Sequence, residues 1–434
     1  MKSLLVCFLS FLTLSTVLGQ DTLTVNQVVR RVLERHPAII QGNENVRAAE
    51  ARVLQSASPS YPDVTTEASY AFLGPIAKLA FPGLGEFRLY PANNYDAHIA
   101  GRYTVYDFGR IDATVNVTKS RVQSGHDAVE LTKTNLAYQA IRVFYSILFL
   151  ERSIQVQTEQ IEALHQHMLT TQKRVNAGTA TSFDVLTTQV RVAAAQSQKI
   201  DLENACQKQR VVLGQLLGLA PGAQVPIRGD FEQSTVSSPN ESLFQTAAQQ
   251  RMEIKLAKDA EQSAEFQREL AALGNKPSLK VNLAYGLKNG FIPNLDVLRG
   301  NWVAGVKAEL PLFDGWRTDH QKEEAEAAML AEQARRRDIE QQVSSDVEQA
   351  MADVQTAVSK ISISELQVQQ AKEAVAIAQS RYETGTVTNL DLLDAQAAES
   401  TARLGHLQAM YRCVISKFEL QRAIGARPWA GQTN

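Results

Sequence analysis

Two spacings of apolar residues divide the chain. In four short stretches apolar and polar positions alternate strictly. Val64, Thr66, Ala68, Tyr70 and Phe72 interleave with Thr65, Glu67, Ser69 and Ala71, while Ala97, Ile99, Gly101, Tyr103 and Val105 interleave with His98, Ala100, Arg102 and Thr104. Further on, Leu279, Val281, Leu283, Tyr285 and Leu287 alternate with Lys280, Asn282, Ala284, Gly286 and Lys288; Trp302, Ala304, Val306, Ala308 and Leu310 alternate with Val303, Gly305, Lys307 and Glu309. Period two places one set on each face of a strand. Elsewhere the steps are four and three: Val343, Val347, Ala350, Val354, Ala357, Ile361, Ser364, Val368, Ala371, Val375, Ala378 and Tyr382, then Leu393, Ala397, Ser400, Leu404, Leu407, Tyr411, Val414 and Phe418. Sustained heptads of this kind predict coiled-coil helices.

The strands are each about ten residues long, the length a tilted strand needs to cross a bilayer. An apolar, aromatic face backed by a polar, charged one is the pattern of an outer-membrane barrel. An ordinary half-buried antiparallel sheet produces the same alternation. In lipid, two hairpins cannot close a barrel, and open edges leave backbone groups unsatisfied, so strands would be pooled among protomers. Gly74 to Asn94 and Asn289 to Asn301 would form the external loops.

No proline occurs from Ala92 to Ala220 or from Leu312 to Arg427, and strong helix formers fill both spans. A helix from Gly109 to Asn176 would be on the order of 100 Å long. Gly178 and Gly385 end such helices with residues that tolerate left-handed backbone, and Thr181 or Thr388 restarts one with Asp184 or Asp391 three positions on, an acidic capping box. Shorter helical segments, Val25 to Ala57 and Glu241 to Leu273, precede the strands and end before Pro59 and Pro277.

These features are two copies of one pattern. Aligning Arg174–Gln189 with Arg381–Gln396 matches seven of sixteen positions without a gap. The same register pairs Cys206 with Cys413, Gly218 with Gly425, and Tyr106-Asp107-Phe108-Gly109-Arg110 with Phe313-Asp314-Gly315-Trp316-Arg317. The expected organisation is a signal peptide at 1–19, a first repeat at 20–220, a linker at 221–239, a second repeat at 240–426 and a tail at 427–434.

The signal peptide follows from Met1 and Lys2, the apolar run Leu4 to Val17 and the small-residue site ending at Gly19. Cys7 lies inside it, so the exported chain keeps Cys206 and Cys413, read as small apolar helix residues rather than a bridge. With 44 Lys+Arg against 46 Asp+Glu, no basic field exists to hold nucleic acid. His165 and His167 stand two apart, on different helix faces, and are read as solvated; Arg335-Arg336-Arg337 is read as an exposed stretch. No metal-ligand spacing, phosphate loop or nucleophile elbow is present, so neither a cofactor nor catalysis is expected.

The double repeat, the Asp107-Phe108-Gly109 and Asp314-Gly315 turns and the paired Gly-Thr-x-Thr-x-x-Asp motifs together resemble the TolC-type outer membrane efflux protein family over essentially the whole exported chain. The resemblance implies a mainly α fold with a small membrane β part: a long coiled-coil helical barrel plus four transmembrane strands per protomer, closing as a trimeric twelve-stranded β-barrel. It implies a homotrimer in outer-membrane lipid, extending into the periplasm and docking a periplasmic adaptor and an inner-membrane transporter. Carried over by motif, the acidic entrance constriction falls on Asp391 and Asp394, and the closed-state contacts on Tyr382 and Asp184. The family's turn arginine is replaced by Val387, which puts the full charge-assisted closure in doubt. Asp391 as a plain helix cap, and Tyr382 as a core residue, stay open as alternatives. The expected role is passive conduction of drugs or other small molecules; a type I protein-secretion duct and a non-channel periplasmic coiled-coil scaffold are the alternatives.

Overall fold

The computed structural model describes residues 22–83, 85–223, 225–231 and 242–427. The expected signal peptide, residues 232–239 of the expected linker and the tail beyond residue 427 lie outside them. Chain order is α1 (Val25–Arg35), α2 (Pro37–Ala57), β1 (Asp63–Phe72), β2 (Lys78–Phe81), β3 (Gly85–Arg88), β4 (Asn93–Tyr106), α3 (Arg110–Asn176), α4 (Ser182–Leu216), then α5 (Ser242–Gln250), α6 (Met252–Ala272), β5 (Ser278–Lys288), β6 (Arg299–Glu309), α7 (Arg317–Glu383) and α8 (Asn389–Ala423). Helices α3 and α7 each have 67 residues, and α4 and α8 each have 35. No described helix is apolar enough over sufficient length to cross a membrane.

By internal contacts the chain divides into two units, each drawing on both halves of the sequence. One comprises Ile40–Thr132 and Ala247–Ser345 and holds a four-stranded antiparallel sheet in the order β1-β4-β5-β6. Its register explains the alternation. Thr66 pairs with Ile99, Ile99 with Tyr285, and Tyr285 with Trp302, so the apolar residues form one row across all strands. Tyr70, Ile99, Tyr285 and Trp302 are all exposed in the single chain. Asp96 pairs with Lys288, and Glu67 with His98, on the other face. Gly286 is obligatory where β4 meets β5, because a Cβ there would overlap the Ala97 carbonyl and the His98 backbone.

Strand passes to helix through a turn whose backbone, more than its side chains, is shared by the two copies. Phe108 and Gly109 have φ of 59° and 83°, and Gly315 and Trp316 have 70° and 60°. Two successive left-handed residues make each turn, and an aromatic residue occupies one of them despite the steric cost. Asp107 holds the first turn, accepting from Gly109 N at 3.1 Å and Ile111 N at 2.8 Å. Asp314 accepts from Thr318 N at 3.0 Å and Thr318 Oγ1 at 2.5 Å, and that hydroxyl holds its carboxyl below the usual range.

Two segments expected to be single helices are broken. Pro37 forces His36 into extended backbone, so α1 ends and α2 starts with proline at its first position. Arg251 makes the same extended break between α5 and α6 without a proline. The expected external loop 74–94 carries its own hairpin, β2 paired with β3. Arg336, read as part of an exposed stretch, is partly buried and donates to Glu261 of α6 at 2.7 Å, because its helix position turns it toward that neighbour.

The other unit comprises Met1–Ile39, Lys133–Thr246 and Asp346–Asn434. From Leu136 to Leu150 most large side chains of α3 are buried, and the stripe Gln139, Arg142 and Ser146 is left at least partly exposed. Tyr145 stacks on Phe231 at 6.2 Å and lies 5.8 Å from Phe418, and Phe149 stacks on Tyr411 at 5.3 Å. Cys206 and Cys413 are free and buried. Burial pushes the Cys206 thiol up, leaving it a poor nucleophile.

Within the sheet-bearing unit a carboxylate pair is buried. Asp127 accepts from Lys255 Nζ at 2.6 Å and Gln123 Nε2 at 2.9 Å. Burial raises its carboxyl, but those donors and Asp259 outweigh it and the net shift is downward. Asp259 is pushed up to about 6 by burial and by its interaction with Asp127, and its buried Oδ2 has no hydrogen-bond partner among the described residues. A raised folded-state pKa gives stability that is complete below pH 3.8 and lost as pH rises through about 6. Asp259→Asn should therefore stabilise the purified protein at pH 7.5 by on the order of 1–3 kcal/mol and leave it nearly unchanged at about pH 3.5. Thermal unfolding midpoints at the two pH values check this; equal shifts at both would refute it.

Candidate entrance site at the hairpin turns

Each long helix closes into its partner through one backbone motif. At the end of α3, Gly178 has φ 75°, its N–H reaches Val175 O at 2.9 Å, and Thr179 N reaches Arg174 O at 2.9 Å. At the end of α7, Gly385 has φ 76°, with N–H to Tyr382 O at 3.1 Å and Thr386 N to Arg381 O at 2.9 Å. Both are Schellman closures, which need a residue free to adopt positive φ.

The next helix restarts at once. Thr181 N and Oγ1 donate to Asp184 Oδ2 at 2.9 and 2.7 Å, and Asp184 N donates back to Thr181 Oγ1 at 3.3 Å. Thr388 and Asp391 repeat this at 2.8, 2.7 and 3.2 Å. The Thr388 hydroxyl, with its backbone N–H, holds the Asp391 carboxyl below the usual range. Four orphan helix-start and helix-end groups per turn are thus satisfied within about ten residues, which makes the turns tight.

Asp394 lies one turn further along α8 and is not a cap. Its Oδ1 accepts from Arg191 Nη2 of α4 at 2.8 Å. The two aspartates on this face therefore differ: Asp391 is committed to its own backbone, and Asp394 shares its charge with an arginine from the neighbouring hairpin.

Tyr382 is only 6% exposed. Arg174 lies 4.5 Å over its ring and donates to its carbonyl at 3.0 Å, while the His167 ring meets its edge at 5.2 Å. Within this chain Asp184 Oδ2 is taken by Thr181, and no described hydrogen bond joins it to Tyr382.

His167 was expected to be solvated and is instead buried. Packing of α3 against the start of α8 places Asn389 Oδ1 at 2.6 Å from its Nε2, and Asn389 Nδ2 donates to Asp184 O at 3.2 Å. One asparagine thus joins three helices: α3 through His167, α4 through Asp184, and its own α8. Arg174, Arg191, His167 and Asn389 were all missed from the sequence. Arg174 had a signal, since it opens the repeated motif opposite Arg381; the other three pair across about two hundred positions and leave no local trace.

A family profile for outer membrane efflux proteins matches residues 28–219 and 243–426. The chain belongs to that family. Its members form trimers and work with periplasmic adaptors and inner-membrane pumps. Among curated relatives, Protein CyaE of Bordetella pertussis is 24% identical over 89% of this chain and 81% of its own length. Outer membrane protein TolC of Vibrio cholerae is 21% identical over 72% of each chain. Crystal structures of CusC superpose with a TM-score of 0.82 at 17% identity, covering 93% of this chain and 92% of that one. Outer membrane protein VceC from Vibrio cholerae gives 0.78 at 19% identity, covering 93% and 96%. The family fold is the expected one: mainly α, with four strands per protomer closing a trimeric twelve-stranded barrel in the outer membrane and a periplasmic helical extension.

Asn389→Leu would leave the buried His167 Nε2 with only Thr171 Oγ1 at 3.4 Å, while the Asp184 carbonyl keeps its bond from Thr188 Oγ1, at a cost of on the order of 1–3 kcal/mol. Asn389→Asp keeps an acceptor for His167 and should cost less. Thermal unfolding of the two purified variants ranks them, and equal losses would remove the hydrogen-bond account.

Proposed function

We propose that the protein is the outer-membrane channel of a tripartite efflux system, conducting drugs or other small molecules passively from a periplasmic adaptor and inner-membrane pump to the exterior. The observation that carries this reading is the sheet. One face is a row of exposed tyrosine, tryptophan and aliphatic side chains, the opposite face is charged, and among the described residues both outer strands, β1 and β6, have unpaired edges. An apolar face suits lipid, a polar face suits a water-filled lumen, and pooling with other protomers satisfies the edges. Relatives bear names as different as cobalt-zinc-cadmium resistance protein and nodulation protein, which supports a general duct whose cargo is chosen by its pump.

At the entrance, Asp391 and Asp394 form the proposed acidic constriction, with Arg191 tempering the second charge. Tyr382 and Asp184 of adjoining hairpins form the proposed closed-state contact, and Arg174 and His167 hold the tyrosine in position. The turns at Gly178, Thr181, Gly385 and Thr388 present these residues. The two repeats at 20–220 and 240–426 each supply one strand pair and one long hairpin.

Purified trimers in planar bilayers should conduct, and absence of any conductance defeats the channel reading in favour of a scaffold. Deletion should raise drug susceptibility; a loss of secreted protein with unchanged susceptibility would favour a protein-secretion duct. Asp391→Asn with Asp394→Asn should change single-channel conductance and weaken block by multivalent cations several-fold. Tyr382→Phe should open more readily than the parent, and equal opening removes the latch.

A further inference from the structure

The polar face of the sheet treats its basic residues in two ways. Near the β2/β3 end, Lys288 stands in register with Asp96 and pairs with it at 3.3 Å, and His98 bonds the same carboxylate at 3.0 Å. Opposite charges directly across a strand pair stabilise it. Lys288 also stands in register with Arg299, and Asp96 is the acid that offsets that pair. Toward the helices no acid stands in register with Lys280 or Lys307. Lys280 stands in register with Lys307, and like charges directly opposite are destabilising. Lys307 pairs with Glu309 at 3.2 Å and Arg102 with Asp63 at 3.6 Å, whereas Lys280 has no ion pair among the described residues.

The three cations line one concavity of ≈ 880 Å³, together with Asn282, whose side chain lies over Gly305. A Cβ at Gly305 would come to 3.0 Å from Asn282 Oδ1, so the missing side chain leaves the amide room in the concavity. The cations outnumber the acids: two ammonium groups and a guanidinium line the concavity with one carboxylate, Asp63, which Arg102 already engages. The lysine pair has no acid in register with either member, and the one acid bonded to it, Glu309, is held by Lys307.

We propose that Lys280 and Lys307, assisted by Arg102 and Asn282, form a binding site on the lumen face for small anions bearing carboxylate or phosphoryl groups. Such an anion bridges the two lysines and supplies the charge that the cross-strand register lacks. The site rests on the channel reading above, since it needs this face to line the water-filled lumen. Threefold repetition would set a ring of such sites around the barrel, so that anionic cargo meets a local concentration of opposite charge as it leaves.

The test is block of the wild-type trimer in planar bilayers by citrate and, separately, by tripolyphosphate, added on the side of the strand loops. Both should block, and Lys280→Gln/Lys307→Gln should raise the half-blocking concentration about tenfold. Lys280→Gln alone should shift it in the same direction by less. Lys288→Gln removes the same charge from the matched pair and should move it less than about twofold. Block by only one of the two anions would support the site and name its chemistry. No block of the conducting wild type, or an equal shift from Lys288→Gln, overturns the site while leaving the channel standing. A wild type that does not conduct overturns the channel reading and this proposal together.

Discussion

Among the described residues, backbone hydrogen bonds across the sheet stop at β1 on one side and β6 on the other. In water such edges are a manageable liability; in hydrocarbon each unsatisfied N–H or C=O costs several kcal/mol, roughly, and no solvent relieves it. A strand set that ends in the membrane must therefore be completed by other chains. That constraint accounts for closure by several chains, which in this family is a trimer of twelve strands, and for the division of each strand into a lipid side and a lumen side. It also explains why so many aromatic side chains are bare in the single chain: their burial belongs to the membrane and the assembly.

Duplication supplies the rest. Long helices of equal length leave the sheet through turns that share a backbone path but exchange the glycine and the aromatic residue between their two positions. Each long helix then reverses through the same glycine closure and threonine–aspartate restart. Where the copies differ, the difference is chemical: Asn389 begins α8, where Ser182 begins α4, and the asparagine is the residue that ties three helices together. Near-identical scaffolds thus carry unlike contacts at the two turns.

Local periodicity made most of the fold legible. Strand alternation survived because the row from Thr66 to Trp302 spans all four strands and any slip would exchange the two faces. The heptads and the capping residues were equally readable, being interactions over a few positions. The break at Pro37 was written in the sequence and overlooked, whereas the matching break at Arg251 has no residue that marks it. Buried polar contacts were illegible for a different reason. Nothing beside His167 announces Asn389, and Asp127 gives no local hint of Lys255 or Asp259 on another helix. The strand order, with β4 against β5 joining the two halves, is likewise a long-range choice that periodicity does not encode.

Cys206 and Cys413 are both sequestered among helices, with the Cys206 thiol further disarmed by its surroundings. Maleimide or nitroxide reagents would thus meet little native background in the folded protein. A single thiol engineered onto an exposed position beside either reversal could be derivatised selectively, giving spectroscopic distances between subunits in an otherwise native assembly.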